Sequence, residues 1–190
     1  MRMKAPFLLP GLILASVTAT AASIEGITVP DSLAASDSGP SLVLNGAGVR
    51  NKFFLDIYVG ALYLPAKSSD ADAILSSPQS ACITMHFLYK KVGRKKIVGA
   101  WKDGLAANHS VAEMQALRPQ LERFNALFHT VHRGDVIRIC YLPGIGSEVR
   151  INGERRGTVP GESFFHALLR TWLGPHPVSA NLKKGMLGLD

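Results

Sequence analysis

The sequence contains few of the features that mark the common classes of enzyme and binding protein. Its 190 residues include two cysteines, which are too few for a disulfide framework and fit no zinc-binding spacing. The glycine-rich motifs of nucleotide sites and the Gly-x-Ser-x-Gly motif of serine hydrolases are absent. Acidic residues are scarce, with 14 against 21 lysines and arginines, and the resulting formal charge of +7 favours anionic partners.

The composition is nevertheless that of a folded domain. Hydrophobic residues make up 47% of the chain and charged residues 18%, a balance that can bury a core and is unlike that of disordered chains. The length suits one ordinary domain and not two. Because no period of about 20–50 residues recurs, a repeat array is excluded.

The first 21 residues have the organisation of a secretory signal peptide. Arg2 and Lys4 form a basic end, an apolar stretch follows as far as Val17, and Ala19-Thr20-Ala21 supplies the small residues of a cleavage site. The apolar stretch is shorter than the roughly 20 residues of a membrane span, which disfavours a retained anchor. We expect a signal peptide over residues 1–21, a mature domain over 22–190, and a periplasmic or secreted protein.

Export would place both cysteines in an oxidising compartment, where disulfides form and persist. Cys82 and Cys140 each lie in a strand-like run. They can pair only if the two strands bring their Cα atoms within about 7 Å of each other. Two unpaired buried thiols, packed as small hydrophobic side chains, are equally consistent with the sequence.

Short apolar runs with period-two alternation predict a sheet. The longest run covers residues 53–64, with one apolar face and one face that mixes Asp56, Tyr58 and Gly60 with apolar residues. A sheet that packs helices on one side and something wetter on the other is expected to show this pattern. Asn152-Gly153 predicts a tight hairpin. The other predicted strands cover residues 24–30, 42–45, 81–89, 135–141 and 148–151.

Apolar residues at helical spacing predict helices in the middle and at the end of the chain. The second of two central sets, over residues 114–128, contains Pro119. Either this helix starts near Arg118 with Pro119 in its first turn, or a longer helix kinks there. Further helices are predicted over residues 70–75, over 162–173, and after Ser179 as an N-cap.

Five positive charges within seven positions form a basic run made of Lys90, Lys91, Arg94, Lys95 and Lys96. A solvated face, a lip for an anionic ligand and a contact with anionic lipid headgroups are all consistent with such a run. Nucleic acid is disfavoured, because no aromatic residue interleaves the run beyond Tyr89. His129 and His132 lack a nearby third ligand, so neither a metal nor another cofactor is expected.

Several segments resemble the chalcone isomerase family, and more closely the exported bacterial chalcone isomerase-like proteins. They follow one another in a specific order and spacing over essentially the whole mature chain. The longest are LNGAGVR at residues 44–50 and IYVGALYL at 57–64. The shorter ones are Gly134-Asp135, Pro143-Gly144-Ile145-Gly146, Ile151-Asn152-Gly153, Pro160-Gly161, Ala167-Leu168-Leu169 and Trp172-Leu173-Gly174.

The resemblance implies an α+β fold of the open-faced β-sandwich type, with a large antiparallel sheet, helices layered on one face and a ligand cleft between them. Members of the family include plant enzymes that close a chalcone to a flavanone, plastid proteins that bind fatty acids, and noncatalytic relatives. Since fold alone does not choose among these functions, the site residues must.

Arg50 and Tyr58 are the ligand-binding candidates that the resemblance implies. Arg50 matches the arginine that follows the family's Gly-x-Gly-x motif, and a guanidinium can grip a carboxylate through two hydrogen bonds. Tyr58 falls where the enzymes carry a catalytic threonine and the fatty-acid binders a tyrosine. A straight strand would hold these two residues roughly 26 Å apart, so only a turn near Asn51-Lys52 could bring both to one carboxylate.

Two further departures from the enzymes argue against chalcone cyclisation. Phe165 stands where the enzymes have a hydroxyl residue on the late helix. No tyrosine occurs between Tyr89 and Tyr141, although the enzymes' middle tyrosine should fall near Arg94 or Lys95. The resemblance therefore predicts an exported, noncatalytic protein that binds a fatty acid or a similar apolar anion.

Two alternatives remain open at this point. One is an isomerase or intramolecular lyase with another substrate, for which Asp56 is the candidate proton acceptor. The other is an interaction protein whose cleft is filled by its own side chains. Besides Arg50 and Tyr58, the residues expected to line the cleft are Phe54, Asp56 and Phe165.

Overall fold

The computed structural model describes residues 22–189, so the predicted signal peptide lies outside the described residues. Seven of the strands form one antiparallel sheet in the order β11-β10-β9-β6-β5-β4-β3. The strands are β1 (Ala22–Ile24), β2 (Ile27–Val29), β3 (Ser32–Ala34), β4 (Ser41–Lys52), β5 (Leu55–Leu64), β6 (Ala81–Phe87), β7 (Lys91–Val92), β8 (Val131–His132), β9 (Val136–Leu142), β10 (Gly146–Ile151) and β11 (Glu154–Val159).

The five helices are α1 (Ala71–Leu75), α2 (Arg94–Ala106), α3 (Val111–Ala126), α4 (Glu162–Leu173) and α5 (Ala180–Met186). Helix α3 begins at a capping box, in which Ser110 and Glu113 satisfy each other's backbone N–H groups. It continues through Pro119, so the expectation of a start near Arg118 is wrong. Within residues 22–189, no helix is long and apolar enough to cross a membrane.

Strands β4 and β5 form a long hairpin that the sequence did not predict. Lys52 and Leu55 are backbone partners, so Phe53 and Phe54 make a two-residue turn. The strand predicted over residues 53–64 therefore starts two residues later, and the short strand predicted over 42–45 belongs to the 12-residue β4. Neither Phe is a usual turn residue, which is why the turn was not recognised.

From Tyr58 onward both faces of the central strand β5 are buried, because a different layer of the protein covers each face. Tyr58 and Leu62 belong to the core beneath the helices. Val59 and Tyr63 belong to a second core that also contains Val29 of β2. The helices therefore cover the face predicted to be mixed, and the wholly apolar face lies under the N-terminal strands.

Cys82 of β6 and Cys140 of β9 are cross-strand partners and form a disulfide in the second core. Their Cα atoms are 4.1 Å apart and the S–S distance is 2.06 Å. Of the two possibilities that the sequence left open, the structure contains the paired one.

Helix α5 lies against β4 at the LNGAGVR segment of residues 44–50, which is one of the segments that resemble the family. The side-chain amide of Asn45 donates to the backbone oxygen of Met186 at 2.7 Å. At Gly46, an added Cβ would collide with the backbone oxygen of Gly185. The Asn45-Gly46 pair therefore serves to dock α5, and Arg50 follows it farther along the same strand.

A candidate ligand cavity between the sheet and helix α2

A cavity of about 720 Å³ lies between the sheet and helix α2. This volume falls within the range of about 300–1,000 Å³ that is usual for ligand pockets. The walls are mainly apolar. Their principal side chains are Ile57, Tyr58, Met85 and Phe87 from the sheet, Ile97, Ala100 and Trp101 from α2, and Thr171, Pro177 and Val178 from the end of α4 and beyond.

Helix α2 faces the cavity because its apolar residues recur at helical spacing, with Ile97 and Trp101 four residues apart. A close contact with α4 fixes its position. An added Cβ at Gly104 would lie 2.5 Å from Cγ2 of Thr171, so this approach requires glycine. Gly104 and Thr171 both line the cavity beside Trp101.

Arg50 and Tyr58 are adjacent in the structure, although eight residues separate them in sequence. They are backbone partners across the β4–β5 hairpin. The guanidinium carbon of Arg50 lies 5.7 Å from the centre of the Tyr58 ring. A turn at Phe53-Phe54, two residues beyond the predicted place, removes the geometric objection to joint contact with one carboxylate.

The guanidinium of Arg50 carries an unused hydrogen-bond donor. Its Nε is buried and has no hydrogen-bond partner among residues 22–189. Buried donors of folded proteins are nearly always paired, because an unpaired one loses its hydration without compensation. Since Arg50 lines the cavity, its guanidinium is the cationic group that an anionic ligand there would approach.

The hydroxyl of Tyr58 is held in place by Trp172. Tyr58 is 4% exposed, and its oxygen accepts a hydrogen bond from Nε1 of Trp172 at 3.0 Å. Burial raises the pKa of Tyr58, and the nearby charge of Arg50 opposes this only in part. The phenol therefore stays protonated at neutral pH, and its own hydrogen remains available to a ligand.

Two more buried polar atoms belong to residues that line the cavity and were missed at the sequence level. Nε1 of Trp101 and Oγ1 of Thr171 have no hydrogen-bond partner within the described chain. Trp101 packs edge-on against Trp172, the donor to the Tyr58 hydroxyl, with ring centres 5.8 Å apart. Helical spacing predicted Trp101 only as a core residue.

The mouth of the cavity is cationic. Lys52, Lys91 and Lys96 line it together with Arg50, and among the described lining residues Asp103 is the single acid. Two lysines of the predicted basic run thus reach the mouth, whereas Lys90 and Lys95 are exposed outside it.

Arg94 of the basic run has a structural role. Its Nε donates to the backbone oxygen of Phe128 at 3.0 Å, and a terminal nitrogen donates to that of Asn125 at 3.2 Å. These carbonyl groups lie at the end of α3, where cations interact favourably with the unpaired backbone oxygens. Arg94 therefore ties the start of α2 to α3, and its guanidinium is engaged there.

Three residues expected to line the cleft lie elsewhere. Phe54 is fully exposed at the hairpin turn. Asp56 is exposed where β5 extends beyond β6, and it accepts a hydrogen bond from the side-chain amide of Asn51. Phe165 is buried against Tyr141, with ring centres 5.3 Å apart. Tyr89, which was not assigned to the site, does line the cavity.

Replacing Tyr58 with phenylalanine should lower the free energy of unfolding by about 1–2 kcal/mol, because Nε1 of Trp172 would lose its acceptor inside the core. Urea denaturation measures this change. Tyr141→Phe is the matched control, since Tyr141 is also buried but lies outside the cavity lining. Equal stability of wild type and Tyr58→Phe would contradict a stabilising Trp172–Tyr58 hydrogen bond.

A large antiparallel sheet, helices on one face and an apolar cavity with a cationic mouth define a ligand-cleft protein. The chalcone isomerase-like family model matches residues 21–188, and the chain belongs to this family. No curated protein matches the sequence.

The fold is similar to the crystal structure of a fatty-acid binding protein from Arabidopsis thaliana. The two share 18% sequence identity with a TM-score of 0.70, and the match covers 88% of this chain and 96% of the plant chain. This likeness, together with the family match, confirms the predicted family and the predicted fold class.

Proposed function

We propose that this chain is an exported, noncatalytic protein that binds a fatty acid or a similar apolar anion in the cavity. The observation that carries the proposal is the Arg50 guanidinium, whose buried Nε has no partner among the described residues, next to the protonated Tyr58 at the edge of an apolar space. Carboxylates form strong charge-assisted hydrogen bonds with such a pair. The fatty-acid binding plant protein of similar fold supports the same ligand class.

The acyl chain would lie along the apolar walls formed by Ile57, Met85 and Ile97. Burying one methylene contributes about 0.8 kcal/mol before the costs of association are subtracted. Affinity should therefore rise with chain length until the tail fills the cavity. The mouth lysines, Lys91 and Lys96, would raise the local concentration of anionic ligands.

Export is part of the proposal. The predicted signal peptide over residues 1–21 motivates it, and the disulfide between Cys82 and Cys140 supports it, because structural disulfides are characteristic of oxidising compartments. Fractionation of cells that express the full chain tests this point. A reduced, uncleaved protein in the cytosol would contradict it.

Both alternatives receive less support from the geometry. An isomerase needs a proton acceptor in the cleft, but Asp56 is exposed outside the cavity. The described lining residues include one carboxylate, Asp103, and it is exposed on α2. An interaction protein with a filled cleft is disfavoured by the cavity of about 720 Å³.

Native mass spectrometry of gently purified protein, followed by calorimetric titration with saturated fatty acids of increasing length, tests the binding function. We expect a co-purifying lipid and a Kd that falls with chain length. The matched methyl ester, which lacks the charge, should bind at least tenfold more weakly. Absence of lipid together with no fatty-acid binding, or equal affinity for acid and ester, would refute the proposal.

A further inference from the structure

The turn between β4 and β5 exposes three consecutive large apolar side chains. Phe53, Phe54 and Leu55 are 87%, 102% and 48% exposed. Single exposed apolar residues are common, but a contiguous group of exposed large apolar side chains marks a surface that contacts something else.

The backbone of this turn is also unfavourable for the residues it contains. Phe53 has a φ of +57°, a conformation that glycine and asparagine adopt more easily than an aromatic residue. Two-residue hairpin turns accordingly favour pairs such as Asn-Gly. Neither turn chemistry nor core packing explains two phenylalanines here, so an intermolecular role is the physical explanation that remains.

Positive charge surrounds the aromatic tip. Phe53 lines the cavity mouth together with Lys52, Lys91 and Lys96, whose side chains are exposed. Exposed aromatic residues flanked by lysines are suited to the interface of an anionic bilayer, where the rings enter the headgroup region and the ammonium groups meet lipid phosphates. We call Lys52, Phe53, Phe54, Leu55, Lys91 and Lys96 the mouth surface.

We propose that the mouth surface docks on anionic lipid bilayers, with the Phe53-Phe54 turn inserted among the headgroups and the cavity opening toward the membrane. The cavity would then exchange its ligand directly with the bilayer, a consequence that rests on the proposed function, whereas docking itself does not. A second copy of the chain is the weaker occupant, because two such surfaces facing each other would bring their lysines together.

Flotation with vesicles made of equal parts phosphatidylglycerol and phosphatidylcholine tests the docking. Phe53→Asn/Phe54→Gly should reduce binding at least tenfold, while its Tm stays close to that of wild type, because both rings are exposed and asparagine adopts the positive φ of position 53 more easily than phenylalanine. Ile145→Ser is the matched control. Ile145 is 58% exposed in the turn between β9 and β10, at the end of the sheet away from the mouth surface. Its replacement should leave binding unchanged.

A second pair of variants tests whether docking requires the positive charges of the mouth surface. Lys91→Gln/Lys96→Gln should weaken binding to these vesicles severalfold, whereas Lys67→Gln/Lys184→Gln, which removes as many exposed charges outside the mouth, should not. Wild-type protein should bind pure phosphatidylcholine vesicles poorly. Equal binding to both kinds of vesicle would overturn the electrostatic part of the proposal.

A Phe54→Trp variant reports on insertion, because bromine-labelled lipids quench an indole that enters the bilayer. Unchanged flotation of Phe53→Asn/Phe54→Gly would overturn the proposal. Absence of quenching of the Phe54→Trp indole by the labelled lipids would also overturn it. So would sedimentation of wild type as a dimer that the double variant abolishes, since the turn would then be a subunit contact.

Ligand binding is measured separately, by titrating Phe54→Ser with dodecanoate in vesicle-free buffer. Phe54 lies outside the cavity lining, so the Kd should match that of wild type. Loss of vesicle binding with an unchanged Kd for dodecanoate supports docking through the mouth surface. Failure of the wild type to bind dodecanoate would count against the proposed function alone.

Discussion

Replacing Arg50 with methionine should raise the Kd for a long-chain fatty acid about 30- to 150-fold. Hydrogen bonds that involve a charged group contribute about 1.5–3 kcal/mol each, and a loss of about 2–3 kcal/mol corresponds to this change. Calorimetric titration with hexadecanoate measures it. Methionine retains an apolar stem of similar length, so the shape of the mouth changes little.

The same replacement should leave the free energy of unfolding unchanged or slightly higher. Nε of Arg50 has no partner in the described chain, so its removal relieves an uncompensated burial. Loss of binding without loss of stability would separate a ligand contact from a structural role. Arg156→Met, at an exposed position of β11, is the charge-matched control. A Kd for Arg50→Met equal to that of wild type would remove Arg50 from the site.

Replacing both cysteines with alanine should lower the free energy of unfolding by about 2–4 kcal/mol. The disulfide closes a loop over 58 positions of sequence, and the chain-entropy model assigns such a crosslink about 4 kcal/mol through its restriction of the unfolded chain. Urea denaturation of Cys82→Ala/Cys140→Ala against oxidised wild type measures the difference.

Reduced wild-type protein separates the crosslink from the packing of the sulfur atoms. It retains both buried sulfurs and should show most of the same loss of stability, whereas a small loss would assign the effect of the double variant to the cavity left by the missing atoms. A thiol count on denatured, unreduced protein should find none. Two titratable thiols per chain would contradict the disulfide.

Local patterns predicted the regular elements well. The hairpin at Asn152-Gly153 is confirmed, with φ values of +53° and +82°, because the two residues themselves favour this turn. Helix α4 was predicted with the bounds that the structure gives, since its apolar stripe ends at Gly174. Ser179 caps α5 as expected.

The turn at Phe53-Phe54 was missed because phenylalanine is not a residue that favours turns. This error also affected the predicted positions of the candidate ligand-binding residues. Without this turn, Arg50 and Tyr58 were predicted to be far apart. Asp56 was assigned to the cleft only because side chains two positions apart on a strand point to the same face, so Asp56 and Tyr58 share a face. In the structure β6 pairs with β5 only from Tyr58 onward, so Asp56 lies beyond the covered part of the sheet.

The cavity itself could not be predicted from the pattern. Residues such as Trp101 and Thr171 have the same apolar or helical spacing whether they pack against a neighbour or border an empty space. Which of these occurs depends on how closely α2 approaches the sheet, and that distance is fixed by tertiary contacts such as Gly104 with Thr171.

The disulfide also has a consequence for how the cavity would adjust to ligands of different size. It joins β6 and β9 on the face of the sheet opposite the cavity, and Cys82 lies three residues along β6 from Met85 of the cavity wall. The crosslink and the continuous β6–β9 pairing resist separation of the two strands beside this wall. We therefore expect a longer or bulkier tail to be accommodated by displacement of α2 rather than by widening of the sheet.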